Sequence, residues 1–263
     1  MSTDTISTLI GDTYMHSAPY TSLDEISSSY FIKADTLFRT IIFQNVAISH
    51  ANEKMNPKLH AAYIQLESFL EKNSPEISDK GIRHDLVSKH MPSLCFSSLV
   101  SAFEDYIIEI AKLIFKLRPE NLDNVKCDYG AFKALSEDEL FDHLVNEGVA
   151  SLTFGSPKEY INKFCKLIQI EKKAIEPYLK KYIEIKARRD TGVHNNWIKD
   201  SRYERKLAEI GLQPDAKNYL TPDLDYFRYS FNLCGELVKL ISNNISTELL
   251  NEQKIFKQEK SET

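Results

Sequence analysis

The chain predicts an all-α fold, a helical bundle built from long amphipathic helices, and three observations predict it. Apolar residues recur at spacings of three and four along most of the 263 residues. Pairs of Ser and Glu three residues apart, the capping-box pattern, stand before apolar runs at Ser22/Glu25, Ser136/Glu139 and Ser156/Glu159. With only 8 Gly and 9 Pro, the chain lacks the turns that a many-stranded sandwich or barrel needs. No internal repeat is visible, which disfavours a solenoid.

In chain order, residues 1–20 are polar and aperiodic and predict a mobile N-terminal arm. Residues 21–90 predict an N-terminal helical region. Its first helix carries Leu23, Ile26, Tyr30, Ala34, Leu37, Ile41 and Ile48, and a second opens at Asn56 and Pro57 and reaches Leu70. A segment near 79–90 leads to Pro92 and the most apolar helix, with Leu99, Phe103, Tyr106, Ile107, Ile110 and Ile114 on one side, as the centre of a bundle requires. Arg118 and Pro119 end it. Helices are expected near 137–147 and 157–169, another from Pro177, and a last one introduced by Thr221 and Pro222 with Phe227, Phe231, Cys234, Val238, Ile241, Ile245 and Leu249 on its stripe. Residues 91–250 thus form a helical domain, and 251–263 predict a frayed tail.

Several function classes are excluded. The stretch Tyr106–Phe115 is broken by Glu109 and Lys112 and falls short of the roughly 20 apolar residues of a membrane span. The start of the chain has neither a basic region nor a continuous apolar one, so no secretory signal is expected and a cytoplasmic location is. Cys95, Cys127, Cys165 and Cys234 are too widely spaced for zinc or redox motifs and predict buried thiols. No HExxH, GxSxG or GxxxxGK[ST] occurs, so no metal, cofactor, nucleophile elbow or nucleotide-hydrolysing loop is predicted.

The formal charge of -5 argues against indiscriminate nucleic-acid binding. It hides an asymmetry. Residues 171–206 hold seven Lys and four Arg against four Glu and two Asp, a net +5, which leaves -10 for the rest. Such a segment is either a solvated helix face or a local trap for the phosphates of a small RNA element.

Within it lies EIKARRDTGVHNNW, residues 184–197. Arg189 continues the inward stripe of Tyr178, Tyr182 and Ile185, whereas Arg188 falls with Lys181 and Glu184 on the polar side. An inward guanidinium needs an acceptor, either a carboxylate or a ligand phosphate. His194 follows five residues later, about 140° around an unbroken helix, so Gly192 would have to turn the chain to bring the two together. An Arg and a His at such a spacing arise often by chance, and Arg83 with His90 supplies a decoy.

EIKARRDTGVHNN resembles the signature of the HEPN superfamily, in which Arg, a polar residue, three variable residues and His sit at a helix end. SSLVSAFEDYIIEIAKLIF resembles the apolar helix that stand-alone prokaryotic members place before it, with a Glu at the position of Glu104. The likeness is closest over residues 183–197, extends over about 90–250 and does not reach the N-terminus. It implies an all-α domain that dimerises, so that two Arg and His pairs share one cleft, and that in active members cuts RNA without a metal. By position, Arg189 and His194 match the motif. Asp190 stands where Asn is more usual, and its carboxylate can pair with Arg189 or Arg188 and reduce the positive charge. The resemblance also implies a toxin or antiviral defence effector, with an antitoxin or regulatory protein as a partner.

The side-chain chemistry agrees. Attack of a 2'-hydroxyl on the adjacent phosphate needs proton transfer near neutral pH, which imidazole suits, and positive charge on the phosphorane oxygens, which a bidentate guanidinium supplies. His194 is then the acid or base and Arg189 the phosphate clamp. Asn195 is placed to orient the leaving group or the imidazole, and Arg188 and Lys186 to hold flanking phosphates. Glu104 either anchors Arg189 or Arg188 or lies exposed at the edge of its stripe, and Trp197 either stacks on a base or anchors two helices. The expected partners are RNA, such as tRNA or another structured RNA, and a second copy of the chain, with no membrane.

Overall fold

Seven α-helices and one short 3-10 turn make up the elements of the computed structural model, which describes residues 22–51, 65, 68–69, 72–73, 90–126 and 133–261, with side chains up to 41 in the first segment and up to 247 in the last. The expected N-terminal arm, most of the helix from Asn56 to Leu70, the segment before His90, and Cys127 lie outside these residues. No strand occurs among them; the all-α class holds, and no described helix is long and apolar enough to cross a membrane.

α1 (Leu23–Ala51) starts at the expected capping box: the Ser22 amide donates to Glu25 at 2.7 Å and the Glu25 amide to the Ser22 hydroxyl at 3.2 Å. α2 (Met91–Leu117) has Pro92 in its first turn, where a missing N–H costs nothing, and all six residues of its expected stripe are buried. It ends where Arg118 closes the last turn on Ile114 and Pro119 opens the 3-10 turn Pro119–Leu122. α3 (Glu137–Thr153) and α4 (Pro157–Leu167) each begin with their capping box formed. α3 runs six residues past its expected end because Gly148 packs inside the helix, where an added Cβ would lie 3.0 Å from Leu122.

α5 (Lys172–Asn195) begins five residues before Pro177, which lies inside it. The bond that Pro177 cannot make would go to the carbonyl of Lys173, an exposed residue near the helix start, so the loss is small. α6 (Ser201–Glu209) was not expected; Asp200 caps it, accepting from the Tyr203 amide at 2.9 Å. α7 (Leu224–Ser261) is capped by Asp223, and its backbone stays helical to Ser261 through the segment expected to fray.

α1, α2, α5 and α7 share one core. Tyr30 of α1 meets Phe103 of α2 at 6.0 Å, and Phe103 meets Tyr182 of α5 at 4.5 Å between ring centres. A polar thread crosses the same core: the Tyr106 hydroxyl donates to the Val238 carbonyl at 3.2 Å and lies 2.9 Å from the Ser242 hydroxyl, which lies 2.9 Å from that of Ser27. Cys95, Cys165 and Cys234 are buried free thiols, as expected, and burial pushes the Cys234 thiol up to about 12.

Candidate functional site

The site forms where α5 ends against α2 and α6. Gly192 does not turn the chain: α5 continues through it and stops at Asn196, a left-handed residue (φ 48°, ψ 42°), followed by Trp197 at φ 64°. The glycine serves a different need. The Trp197 indole lies against it so closely that a Cβ at 192 would come within 2.5 Å of the ring. Trp197 is further held by the Leu220 amide, which donates to its carbonyl at 2.7 Å, and by Phe96, 5.9 Å away between ring centres, so it is an anchor. Gly192→Ala is expected to displace the indole. Overpacking of about 1–3 kcal/mol outweighs the gain of about 1 kcal/mol in helix propensity, and fluorescence of this single Trp should shift to the red with a lower urea midpoint.

The unbroken helix leaves His194 exposed on its last turn, about 7.5 Å along the axis and about 140° around from Arg189, so one chain alone does not bring them together. Asn195 is committed to the turn: its amide donates to the Ile198 carbonyl at 2.8 Å.

Arg189 sits at the middle of a chain of charges across three helices. Glu104 of α2 binds both Arg189 Nη2 and Lys186 Nζ. Arg189 Nη1 lies 3.3 Å from Asp190, which in turn pairs with Lys206 of α6 at 3.0 Å. Glu104 is therefore an anchor of Arg189 rather than an exposed edge residue. Three cations against two carboxylates leave the group with a net positive charge. Arg189 retains 19% exposure, and its Nε is buried with no partner. Desolvation lowers the pKa of Lys186, the cation between α5 and Glu104.

Arg188 is not on the polar side. It is 6% exposed, and its guanidinium lies 4.1 Å over the Tyr226 ring, donating to Glu184 and Asp215 at 2.9 Å each and to the Leu220 carbonyl at 3.4 Å. The hydroxyls of Tyr203 and Tyr226 also donate to Glu184. That face of α5 is polar in sequence because it carries its own counter-ions under α6 and the start of α7. Arg188 is structural: three of its five N–H groups go to Glu184, Leu220 and Asp215, and its burial under Tyr226 keeps it from a flanking phosphate. Burial penalises its cation, but Tyr226, Glu184 and Asp215 more than offset this and raise its pKa.

Burial and the Glu184 carboxylate raise the Tyr203 and Tyr226 phenols above their usual range. Above about pH 10 the folded chain then holds protons that the unfolded chain releases, so stability falls as pH rises. Alkaline titration is expected to show helix loss and tyrosinate absorbance rising together, beginning near pH 10.

Beside the charge chain a pocket of about 550 Å³ opens between α2, the α3–α4 joint and α5. Lys186, Lys206 and Glu104 line it together with Ile108, Tyr160 and Ile183. Sequence reasoning missed Lys206 because it missed α6, although Tyr203, Leu207 and Ile210, all buried, give that helix spacings of four and three. It missed Asp215 and Tyr226 because nothing local ties them to Arg188. No family model, no curated protein and no solved structure matches the chain.

Proposed function

We propose that the chain is a metal-independent endoribonuclease of HEPN type that works as a homodimer. The observation that carries this is the end of α5: an inward, partly exposed Arg189 held in place by Glu104, followed on the same helix by an exposed His194, within EIKARRDTGVHNN. Because one helix keeps the two residues apart, the reading needs a second copy, with Arg189 and His194 side chains from both chains facing one scissile phosphate.

In the reaction, one imidazole takes the 2'-hydroxyl proton as the oxygen attacks phosphorus. The bond from phosphorus to the 5'-oxygen breaks, and that oxygen receives a proton from the second imidazole. The products are a 2',3'-cyclic phosphate and a 5'-hydroxyl. Arg189 clamps the phosphorane oxygens, exchanging part of its contact with Asp190 for them, while Lys206 takes up the released carboxylate. Imidazole and guanidinium supply proton transfer and charge between them, so the chemistry asks for no metal or cofactor. A toxin or antiviral effector acting on cytoplasmic RNA, restrained by an antitoxin or regulatory protein, is the role that fits such an activity.

A second reading is favoured by the same ion pairs. With two carboxylates on Arg189, the surface could bind RNA or a protein without cutting. The test is cleavage of total RNA in EDTA with end-group analysis. Fragments ending in cyclic phosphate from the parent chain, and none from His194→Ala, support the nuclease; RNA binding without cleavage by either supports the binding module.

A further inference from the structure

Lys186 differs from the other charges near the end of α5 in where its amine lies. It lines the pocket of about 550 Å³, a volume within the range of about 300–1,000 Å³ typical of small-molecule sites. Part of the wall beside it is apolar: Ile108, Ile183 and the ring of Tyr160, itself stacked on Phe164 at 7° between ring planes. Burial lowers the Lys186 pKa; Asp190 opposes this, and the charges of Arg189 and Lys206 add to the lowering. A lysine set between an apolar wall and two further cations is placed to give up its proton and become a nucleophile.

Losing that proton strands no charge. Glu104 binds both Lys186 and Arg189, so the carboxylate keeps a cation when Lys186 turns neutral. Glu104 also lines the pocket, where it can accept a proton and return it. Lys206 lines the same pocket and supplies the remaining charge. It pairs with Asp190 at 3.0 Å, and its side chain is 38% exposed, which leaves N–H groups open to an anion.

An amine, a carboxylate that can carry its proton, an apolar wall and a second cation suit a carbonyl compound. Acylation of the amine would need an activated donor, whereas an aldehyde needs only the amine itself. We propose that Lys186 captures, as an imine, an aldehyde with a flat apolar body and an anionic group, the body against Tyr160 and Ile183 and the anion on Lys206. The neutral amine attacks the carbonyl carbon, and one N–H proton passes through Glu104 to the carbonyl oxygen, giving a carbinolamine. The second N–H proton leaves with the hydroxyl as water while the C=N bond forms. Amine and aldehyde thus become imine and water, with nothing oxidised or reduced.

The experiment exposes the full chain to pyridoxal 5'-phosphate, a probe of this shape and charge, or to pyridoxal, which lacks the phosphate. Borohydride then reduces the imine, and peptide mass mapping locates the label. Equimolar pyridoxal 5'-phosphate is expected to label Lys186 at least tenfold more than the exposed Lys173 and Lys181, and pyridoxal to need at least a tenfold higher concentration for the same labelling. Lys206→Ala should remove the advantage of the phosphate and leave labelling by pyridoxal in place. Lys186→Arg keeps a cation on Glu104 and should abolish the imine absorbance at the same probe concentration. Labelling of Lys186 in the parent chain no stronger than that of Lys173, Lys181 or Lys206 overturns the proposal, whatever the variants do. Equal labelling by the two probes, or a phosphate preference that a folded Lys206→Ala chain retains, overturns the anion site and with it the class of ligand. None of these readouts involves RNA or His194, so carbonyl capture and RNA cleavage stand or fall separately.

Discussion

Arg188→Ala is expected to cost about 3–5 kcal/mol of stability, a large part of the 5–15 kcal/mol that holds a typical domain together. The cost comes from what remains behind. Glu184 is 16% exposed and Asp215 27% exposed, and both face the space that the guanidinium fills. Without the cation, Glu184 keeps only two phenolic donors for a carboxylate enclosed by α5, α6 and α7. The packing of the guanidinium over the Tyr226 ring is lost as well. Urea denaturation should show a lower midpoint with an unchanged slope. Adding Glu184→Gln to Arg188→Ala should recover part of the loss, since the stranded charge goes with it. A stability loss below about 1 kcal/mol for Arg188→Ala, read from midpoint and slope, would mean that water reaches this cluster and that Arg188 is free for other work.

His194→Ala is expected to do the reverse, leaving stability within about 0.5 kcal/mol of the parent and lowering RNA cleavage by about 10²–10⁴-fold. The imidazole is exposed on the last turn of α5, so its removal opens no cavity. Arg189→Ala should lower cleavage by about 10²–10³-fold and also cost some stability. Lys186 and Lys206 continue to neutralise Glu104 and Asp190, which keeps that cost below the one at Arg188. The two adjacent arginines are therefore told apart by urea midpoint against cleavage rate. A purely structural Arg189 would instead unfold with its substitution while His194→Ala changed nothing. The proposed mechanism draws one imidazole from each of two copies, so mixing parent chain with an excess of His194→Ala chain should lower cleavage well below that of the parent alone.

The bundle was readable from the sequence wherever one helix carried its own evidence. The stripe of α2, the three capping boxes and the stripe of α7 from Phe227 to Ile245 each sit within one element, and the structure forms them as expected. Reading failed where a partner from afar decides. Arg188 looked solvated because Lys181 and Glu184 share its face, yet Asp215 and Tyr226 close over it from 27 and 38 positions away in the sequence. Pro177 looked like a helix start because proline favours the first position, but the exposed Lys173 tolerates a missing bond. Gly192 looked like a hinge because glycine ends helices, and its true cause, the indole of Trp197, lies beyond the helix. The inward setting of Arg189 was legible from spacing alone; its bond to Glu104 was one of several open alternatives.

The thread of hydroxyls through Ser27, Ser242 and Tyr106 bears on how the chain can be divided. A fragment beginning at α2 would keep every residue of the Arg189 charge group, yet it would bare the side of α2 and α7 that Ile26, Tyr30, Ala34 and Ile41 cover, and strip the Ser242 hydroxyl of its neighbour from α1. The first helix is thus a permanent wall of the bundle rather than a detachable appendage. Any excision or transplant of the α5 motif has to carry α1 with it to stay soluble.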